Sequence, residues 1–167
     1  MYTNIKYDYD EKVIYVVKNG HEEVLDDDFP SEPKTSPSGD HVAFISPLEW
    51  ECHGSLYLFD IKTGEKETLI SPTEDHYIPK AVVWINEVLM GVIIGFGDGT
   101  PAVGGEVYTF DLRSKTLTQI SKGTPDIQFL TLSVQGDRLK AEGIKYMDED
   151  YLGFTDYAQE FILSDLG

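Results

Sequence analysis

The sequence predicts an all-β domain built of antiparallel, blade-like units, and internal repetition is the main reason. The segment that begins at Gly54 (GSLYLFDIKTG) recurs in the segment that begins at Gly105 (GEVYTFDLRS). A turn also recurs, because residues 36–40 (SPSGD) are echoed by residues 133–137 (SVQGD). Repetition of this kind indicates that one supersecondary unit is used several times. Ten Tyr and eight Phe against three Met also favour pleated sheet, which accommodates aromatic side chains well.

The first predicted unit covers residues 4–28 and contains a hairpin. Residues 13–17 and 22–25 have the composition of strands, and they flank the dipeptide Asn19-Gly20. This dipeptide is favoured in two-residue hairpin turns because both positions need a positive φ. Three consecutive aspartates at 26–28 then end the strand.

The second predicted unit, residues 33–71, contains four strands. Turns are expected at 37–40 and 62–64, and the strands at 33–36, 41–46, 54–60 and 66–70. Apolar residues occur on both faces of these strands, as expected for a sheet that is packed between two others.

The third predicted unit, residues 80–121, repeats this four-stranded pattern. The segment 88–96 is apolar enough for a buried helix, but its two glycines and its Val and Ile content favour a strand. The four strands are expected at 81–85, 88–96, 106–112 and 116–120.

The fourth predicted unit, residues 127–166, is incomplete. Strands are expected at 128–134, 138–146 and 161–166, and a fourth strand is missing before the sequence ends. No amphipathic helix and no linker composition interrupts the sequence, so residues 1–167 are interpreted as one domain.

Repeated polar and glycine residues receive a structural interpretation. Asp60 and Asp111 occupy equivalent repeat positions, where a carboxylate can accept hydrogen bonds from the backbone of the following turn. Gly39, Gly64 and Gly136 are expected to supply a positive φ in their turns.

Residues 36–70, with the order SPSGD, VAFIS, GSLYLFDIKTG and TLI, resemble the blade repeat of TolB-type and WD40-like β-propellers. Residues 80–121 echo this pattern and residues 128–166 do so weakly. The whole chain is also similar to a family of small bacterial propeller-like proteins of unknown function. The resemblance implies a small or partial β-propeller of about three and a half antiparallel four-stranded blades. It implies no catalytic residue, because propellers host many activities.

The blade count departs from the usual propeller, which has about 4–8 blades. An open stack leaves sheet edges unpaired. The N-terminal strands could form a fourth blade, could supply the missing strand of the last blade, or could pair with a second chain. We expect a partial or four-bladed propeller in which the N- and C-terminal strands meet.

Charge limits the classes of partner. The formal net charge is −17, with 30 acidic and 13 basic residues. A surface this negative repels phosphate backbones and anionic membranes, so nucleic acid is not expected as a partner. Direct membrane insertion is not expected either, because no apolar run reaches the ~18 residues that a spanning helix needs. The simplest interpretation is a solvated acidic surface that favours solubility, and the alternative is a surface that attracts cations or a basic protein.

The N-terminus and the cysteine content suggest a compartment. Residues 1–8 lack the charged-then-apolar pattern of a signal peptide. The single Cys52 cannot form an intramolecular disulfide. A cytoplasmic location is therefore expected for the chain as given, and an extracellular or lipid-anchored one if an N-terminal signal was removed.

Long loops are the predicted binding region. In propeller geometry the loops between second and third strands share one face with the loops between blades. This places loops 26–32, 47–53, 72–79, 97–104, 122–126 and 147–157 together, and binding sites concentrate on such loops. The candidate binding residues are aromatic, acidic or imidazole side chains: Trp50, His53, Tyr77, Asp98, Tyr151, Phe154 and Tyr157.

Metal binding and catalysis find little support in the motifs. The acidic clusters at 26–28 and 148–150 lack the spacing of a calcium loop, so no cofactor is expected, with Ca²⁺ as the alternative. Cys52 and His53 are adjacent, which is too close for usual zinc spacing, and His76 has no partner motif. Carboxylates near Cys52 disfavour a thiolate nucleophile.

The sequence thus predicts a non-catalytic interaction module that binds a protein or peptide through an aromatic and acidic loop face. Two alternatives stay open. The same face could serve a propeller-type hydrolase or lyase. The protein could also be architectural and form a homodimer through its edge strands.

Overall fold

The computed structural model describes residues 1–49, 52–99 and 102–166, and these residues form four antiparallel sheets. The first sheet contains β1 (Asn4–Asp8), β2 (Val13–Lys18) and β3 (His21–Asp26). The second contains β4 (Lys34–Thr35), β5 (His41–Ser46), β6 (Ser55–Asp60) and β7 (Lys66–Ile70). The third contains β8 (Tyr77–Trp84), β9 (Leu89–Phe96), β10 (Glu106–Asp111) and β11 (Thr116–Gln119). The fourth contains β12 (Ile127–Gln135), β13 (Arg138–Tyr146) and β14 (Phe154–Ile162), followed by a 3-10 turn at Leu163–Asp165.

The predicted all-β, propeller-like fold is confirmed, and sequence neighbours pair within every sheet. Each sheet is an up-and-down meander in which consecutive strands are hydrogen-bonded to each other. The two middle sheets have four strands, whereas the first and last have three. None of the helices in the described residues is both long enough and apolar enough to cross a bilayer.

The predicted turn chemistry is confirmed. Asn19 and Gly20 have φ values of 53° and 78°, as a two-residue hairpin requires. Gly39, Gly64 and Gly136 have φ values of 83°, 78° and 61°. These turns therefore need residues that tolerate the left-handed region.

The repeated aspartates cap their turns as predicted. The Oδ1 atom of Asp60 accepts hydrogen bonds from the backbone N–H groups of Lys62 (2.8 Å) and Thr63 (3.1 Å). Asp111 likewise accepts from the backbone N–H of Arg113 at 2.9 Å. Backbone donation to Asp60 and Arg113 donation to Asp111 help to lower the pKa of each carboxyl group, because they favour the charged form.

The sheets stack face to face in chain order, joined by three clusters of buried apolar side chains. Neighbouring residues of a strand point to opposite faces, so β5 directs Val42 and Phe44 toward the first sheet and Ala43 and Ile45 toward the third. The clusters contain Ile14, Val16, Val42, Phe44 and Phe59; Ala43, Ile45, Leu56, Leu58, Val82, Trp84, Met90, Val92, Ile94 and Phe110; and Ile93, Val107, Phe129, Leu139 and Ala141.

The stack is open at its ends. In the described part of the chain, β1 is paired only with β2 and β14 only with β13. The expectation that the N- and C-terminal strands meet is therefore wrong. On β13, Leu139 and Ala141 are buried while Lys140 and Glu142 alternate with them on the opposite face. This polar face lets the last sheet end the stack in water, as in the capping repeats of solenoid proteins.

Most strand bounds differ from the sequence prediction by one or two residues, and two strands differ by more. The last strand covers Phe154–Ile162 instead of residues 161–166, and β8 begins at Tyr77 instead of residue 81. β14 is a polar edge strand whose residues are exposed or half-buried, so it lacks the apolar alternation that signals a strand.

The connecting loops at one end of the sheets lie side by side. Backbone hydrogen bonds join them, from Leu48 N–H to Phe29 O (2.8 Å) and from Gly97 N–H to His76 O (2.7 Å). We call this end the rim, and it consists of residues 27–33, 47–49, 52–54, 71–76, 97–99, 102–105, 120–126 and 147–153.

Candidate functional site

The rim brings four of the predicted binding residues into one region. His53, Asp98 and Tyr151 lie in rim loops, and Tyr77 is the first residue of β8. Phe96, at the end of β9, lies between His76 and Tyr77, since its ring is nearly parallel to that of His76 (11° between planes) and meets Tyr77 edge-on at 5.9 Å. Trp50 lies outside the described residues.

Two predicted residues are not loop residues. Phe154 and Tyr157 both lie on β14, because the predicted loop 147–157 ends at residue 153. The ring of Tyr157 packs against buried Phe129 with the centroids 5.8 Å apart, so it supports the core. Phe154 is exposed and its ring meets Tyr146 edge-on at 6.3 Å. The prediction that these two side chains belong to a loop is wrong.

Three side chains from three different loops converge beside Phe96. His53 follows β5, His76 precedes β8, and Asp98 follows β9. His53 donates from Nε2 to Oδ1 of Asp98 at 2.7 Å, and His76 donates from Nδ1 to the other carboxylate oxygen. The hydrogen bonds from His76 and His53 hold the pKa of Asp98 below its usual value.

Three adjoining cavities extend from the second sheet to the fourth, between rim loops and the neighbouring strand ends. Their volumes are about 590, 310 and 340 Å³. Tyr77, Glu106 and Tyr108 line both the first and second cavities, and Tyr151 lines both the second and third. We call this feature the rim groove.

The walls of the rim groove are aromatic and acidic. None of the described residues that line the three cavities is Lys or Arg. Glu106 is held in place by the hydroxyl of Ser121 and by the backbone N–H of Gly123 at 3.0 Å. The acidic lining residues are Asp75, Glu106, Asp126, Asp148 and Glu149.

Lys80 organises the loop after β9 from a separate cavity. Its ammonium group donates to the carbonyl oxygens of Phe96 (2.6 Å), Ala102 (2.7 Å) and Gly104 (2.9 Å). Burial lowers the pKa of Lys80 to about 8, because it disfavours the charged form. The three hydrogen bonds to carbonyl oxygens offset the cost of removing the ammonium group from water. Lys80 therefore holds the loop that carries Asp98 in place.

Sequence reasoning missed His76, Phe96 and Glu106. His76 and Asp98 are 22 residues apart and His53 and His76 are 23 apart, so no local motif joins them. The signal was the assignment of loops 47–53, 72–79 and 97–104 to one face, each of which contains one member. Testing every His and Asp pair across those loops would have found the cluster.

The fold and the groove define a small, open β-propeller-like protein with a loop-built cleft. The chain belongs to the family described as Domain of unknown function (DUF4652), whose model matches residues 3–159. Among curated proteins, none matches the chain at a significant level.

Solved structures confirm the resemblance to propeller proteins. A "putative conserved lipoprotein" from Clostridium novyi NT is 21% identical with a TM-score of 0.73, over 80% of this chain and 87% of that one. TolB from Acinetobacter baumannii is 12% identical with a TM-score of 0.57, over 99% of this chain and 39% of that one. The propeller domain of the Trilobed protease from Pyrococcus furiosus, described as having an open velcro topology, is 13% identical with a TM-score of 0.53, over 95% of this chain and 51% of that one. At these identities the likeness shows the fold alone.

Proposed function

We propose that this protein is a non-catalytic interaction module whose rim groove binds an extended, basic segment of another protein. The observation that carries the proposal is the groove itself, a run of three adjoining cavities with aromatic walls and five acidic lining residues. A long groove accommodates an extended chain better than a compact ligand. The rigid sheets hold the rim loops in position, so binding should need no large rearrangement.

Two tyrosines supply the anchors. Tyr77 is 47% exposed and Tyr151 is 38% exposed, and each lines two of the adjoining cavities. Partly exposed tyrosines contribute large contact areas and a hydroxyl group, and they are enriched among residues that dominate binding energy. They would contact apolar parts of the bound segment.

Charge selects the partner. The groove lining contains acidic groups and no Lys or Arg among the described residues, within a chain of formal net charge −17. Complementary charge speeds association and discriminates against acidic competitors. Lysine and arginine side chains in the partner would meet Asp75 and Glu106 in the first cavity and Glu149 in the third.

The compartment stays a prediction. The similar structure from Clostridium novyi NT is described as a putative conserved lipoprotein, so a lipid-anchored location is proposed beside the cytoplasmic one. Both locations offer protein partners. The alternative of a homodimer formed through edge strands also stays a prediction.

Selection of random short peptides displayed on phage tests the proposal. We expect the selected peptides to be rich in Lys and Arg.

Replacing Tyr77 and Tyr151 together with alanine should weaken the binding of these peptides by about tenfold or more. The double variant loses two aromatic contacts, and each should contribute over about 1 kcal/mol to binding. Replacing Asp75 and Glu149 with Asn and Gln should weaken binding mainly at low salt, since these charges are exposed and screened. Isothermal titration calorimetry measures both effects.

Two control variants lie outside the groove. Tyr9 lies in the turn after β1 and is 59% exposed, so Tyr9→Ala should leave the affinity unchanged. The double variant Asp10→Asn, Glu11→Gln also removes two negative charges, but from an exposed turn outside the groove. It should have little effect on peptide affinity. Selected peptides without basic residues, or equal affinity for wild type and the Tyr77/Tyr151 variant, would contradict the proposal.

A further inference from the structure

The cluster of His53, His76 and Asp98 has a geometry that the interaction role does not require. One ligand atom from each of the three side chains lies within 4.8 Å of the other two. The imidazole rings of His53 and His76 have centroids 4.9 Å apart and share one carboxylate. Three potential ligands from three separate loops thus point to one location.

The backbone around the cluster allows the two histidines to lie close together. A Cβ atom on Gly97 would meet the His53 ring at 3.0 Å and the His76 carbonyl oxygen at 3.1 Å, so a glycine allows both histidines to approach. His76 itself has a φ of 67°, a conformation that a non-glycine residue adopts at a cost. Hydrogen bonds from His76 N–H to Thr73 O and from Gly97 N–H to His76 O maintain it.

An aromatic ring lies parallel to one imidazole. The rings of Phe96 and His76 are 11° from parallel with centroids 6.3 Å apart, and Nδ1 of His76 donates to Asp98. Side chains whose rotamers are held by packing make better metal ligands than free ones, because less conformational entropy is lost on binding.

We propose that His53, His76 and Asp98 form a binding site for a divalent transition-metal ion of the zinc type. The ligands would be Nε2 of His53, Nδ1 of His76 and one carboxylate oxygen of Asp98. Bonds of about 2.0–2.1 Å in tetrahedral geometry separate ligand atoms by about 3.3 Å, so small side-chain movements close the site. On binding, the ring proton of each histidine moves to its other nitrogen. Three protein ligands leave a fourth position for water or for a group from another molecule.

The donor set decides the class of ion. Two imidazole nitrogens and one carboxylate suit Zn²⁺, Co²⁺, Ni²⁺ or Cu²⁺, whereas Ca²⁺ prefers six to eight oxygen ligands. The sequence-based expectation of no metal, with Ca²⁺ as the alternative, considered Asp98 without its histidine neighbours. The proposal does not depend on the rim groove binding a peptide.

Titration of the untagged protein with Co²⁺ tests the site, because tetrahedral Co²⁺ absorbs visible light. We expect one ion per chain, with competition by Zn²⁺. His76→Gln and Asp98→Asn should each weaken Co²⁺ binding by at least ~10–100-fold, since ligand loss should cost at least as much as loss of an outer-shell partner. Far-UV circular dichroism verifies that each variant is folded.

His21→Gln is the matched control, because His21 lies exposed on β3 outside the cluster. It should bind Co²⁺ like wild type. Absence of bound Co²⁺ in the wild-type protein would overturn the proposal. Equal losses in the His21→Gln and His76→Gln variants would also overturn it, as that result indicates binding at scattered surface sites. Neither result would affect the peptide selection, so the two proposals fail separately.

Discussion

Replacing Phe129 with alanine is expected to lower the free energy of unfolding by about 3–5 kcal/mol. Phe129 is only 2% exposed and is the large aromatic residue in the cluster between the third and fourth sheets. Removing its ring leaves a cavity beside Val107 and Leu139, which the rigid sheets cannot fill by moving. Urea denaturation followed by circular dichroism measures the change.

The neighbouring residue gives a matched control. Leu130 is 39% exposed, so Leu130→Ala should cost less than about 1 kcal/mol although it also truncates an apolar side chain. If both variants lost the same small amount, the third and fourth sheets would not share a packed cluster through Phe129.

Replacing Gly105 with alanine is expected to cost about 3 kcal/mol, at the upper end of the range for overpacking. A Cβ atom at this position would lie 2.1 Å from the carbonyl oxygen of Ile94 and 2.7 Å from Cα of Gly95. Both contacts are with backbone, so no change of side-chain rotamer relieves them. Gly105 also exchanges two backbone hydrogen bonds of 3.0 Å with Phe129, which link the third and fourth sheets. Thermal unfolding and urea denaturation should both show the loss.

Gly153→Ala is the control for the glycine substitution. A Cβ atom at Gly153 meets no atom within 4 Å and its φ is not positive, so this change should alter stability by less than about 0.5 kcal/mol. A stable Gly105→Ala variant would show that β9 and β10 are farther apart at this point than described.

Repetition and turn chemistry predicted most of the fold. The repeat around Asp60 and Asp111 placed β6 and β10 in equivalent positions, and each aspartate caps its turn. Asn19-Gly20 placed the hairpin of the first sheet. These signals are local, since each depends on residues within one turn or one strand, so a single sequence contains them.

The features that the sequence did not predict depend on contacts between distant residues. β14 is a polar edge strand that pairs with β13 over Phe154–Ile162, and its residues lack the alternation that buried strands show. The close approach of Gly104 to Phe129, and the backbone hydrogen bonds between Gly105 and Phe129, depend on how two sheets meet. Neither feature leaves a periodic pattern in the sequence.

The candidate site was half predicted for the same reason. The shared face of the loops, and with it His53, Tyr77, Asp98 and Tyr151, followed from strand order. The partnership of His76 with Asp98 required the register of β8 against β9, where Tyr77 pairs with Phe96 and so brings the residues beside them together. The pairing of β8 with β9 shifts at a bulge between Pro79 and Ala81, and amino-acid composition does not predict such a shift.

The central claim is that the sheets stack in chain order as an open arc, which gathers loops of neighbouring sheets on one rim. Nuclear Overhauser spectroscopy tests it most directly. We expect cross-peaks between the rings of His53 and His76, whose centroids are 4.9 Å apart, and between the indole N–H of Trp84 and Lys34, whose carbonyl oxygen accepts from it at 2.7 Å. Absence of these cross-peaks in the folded protein, or cross-peaks that pair β1 with β14, would contradict it.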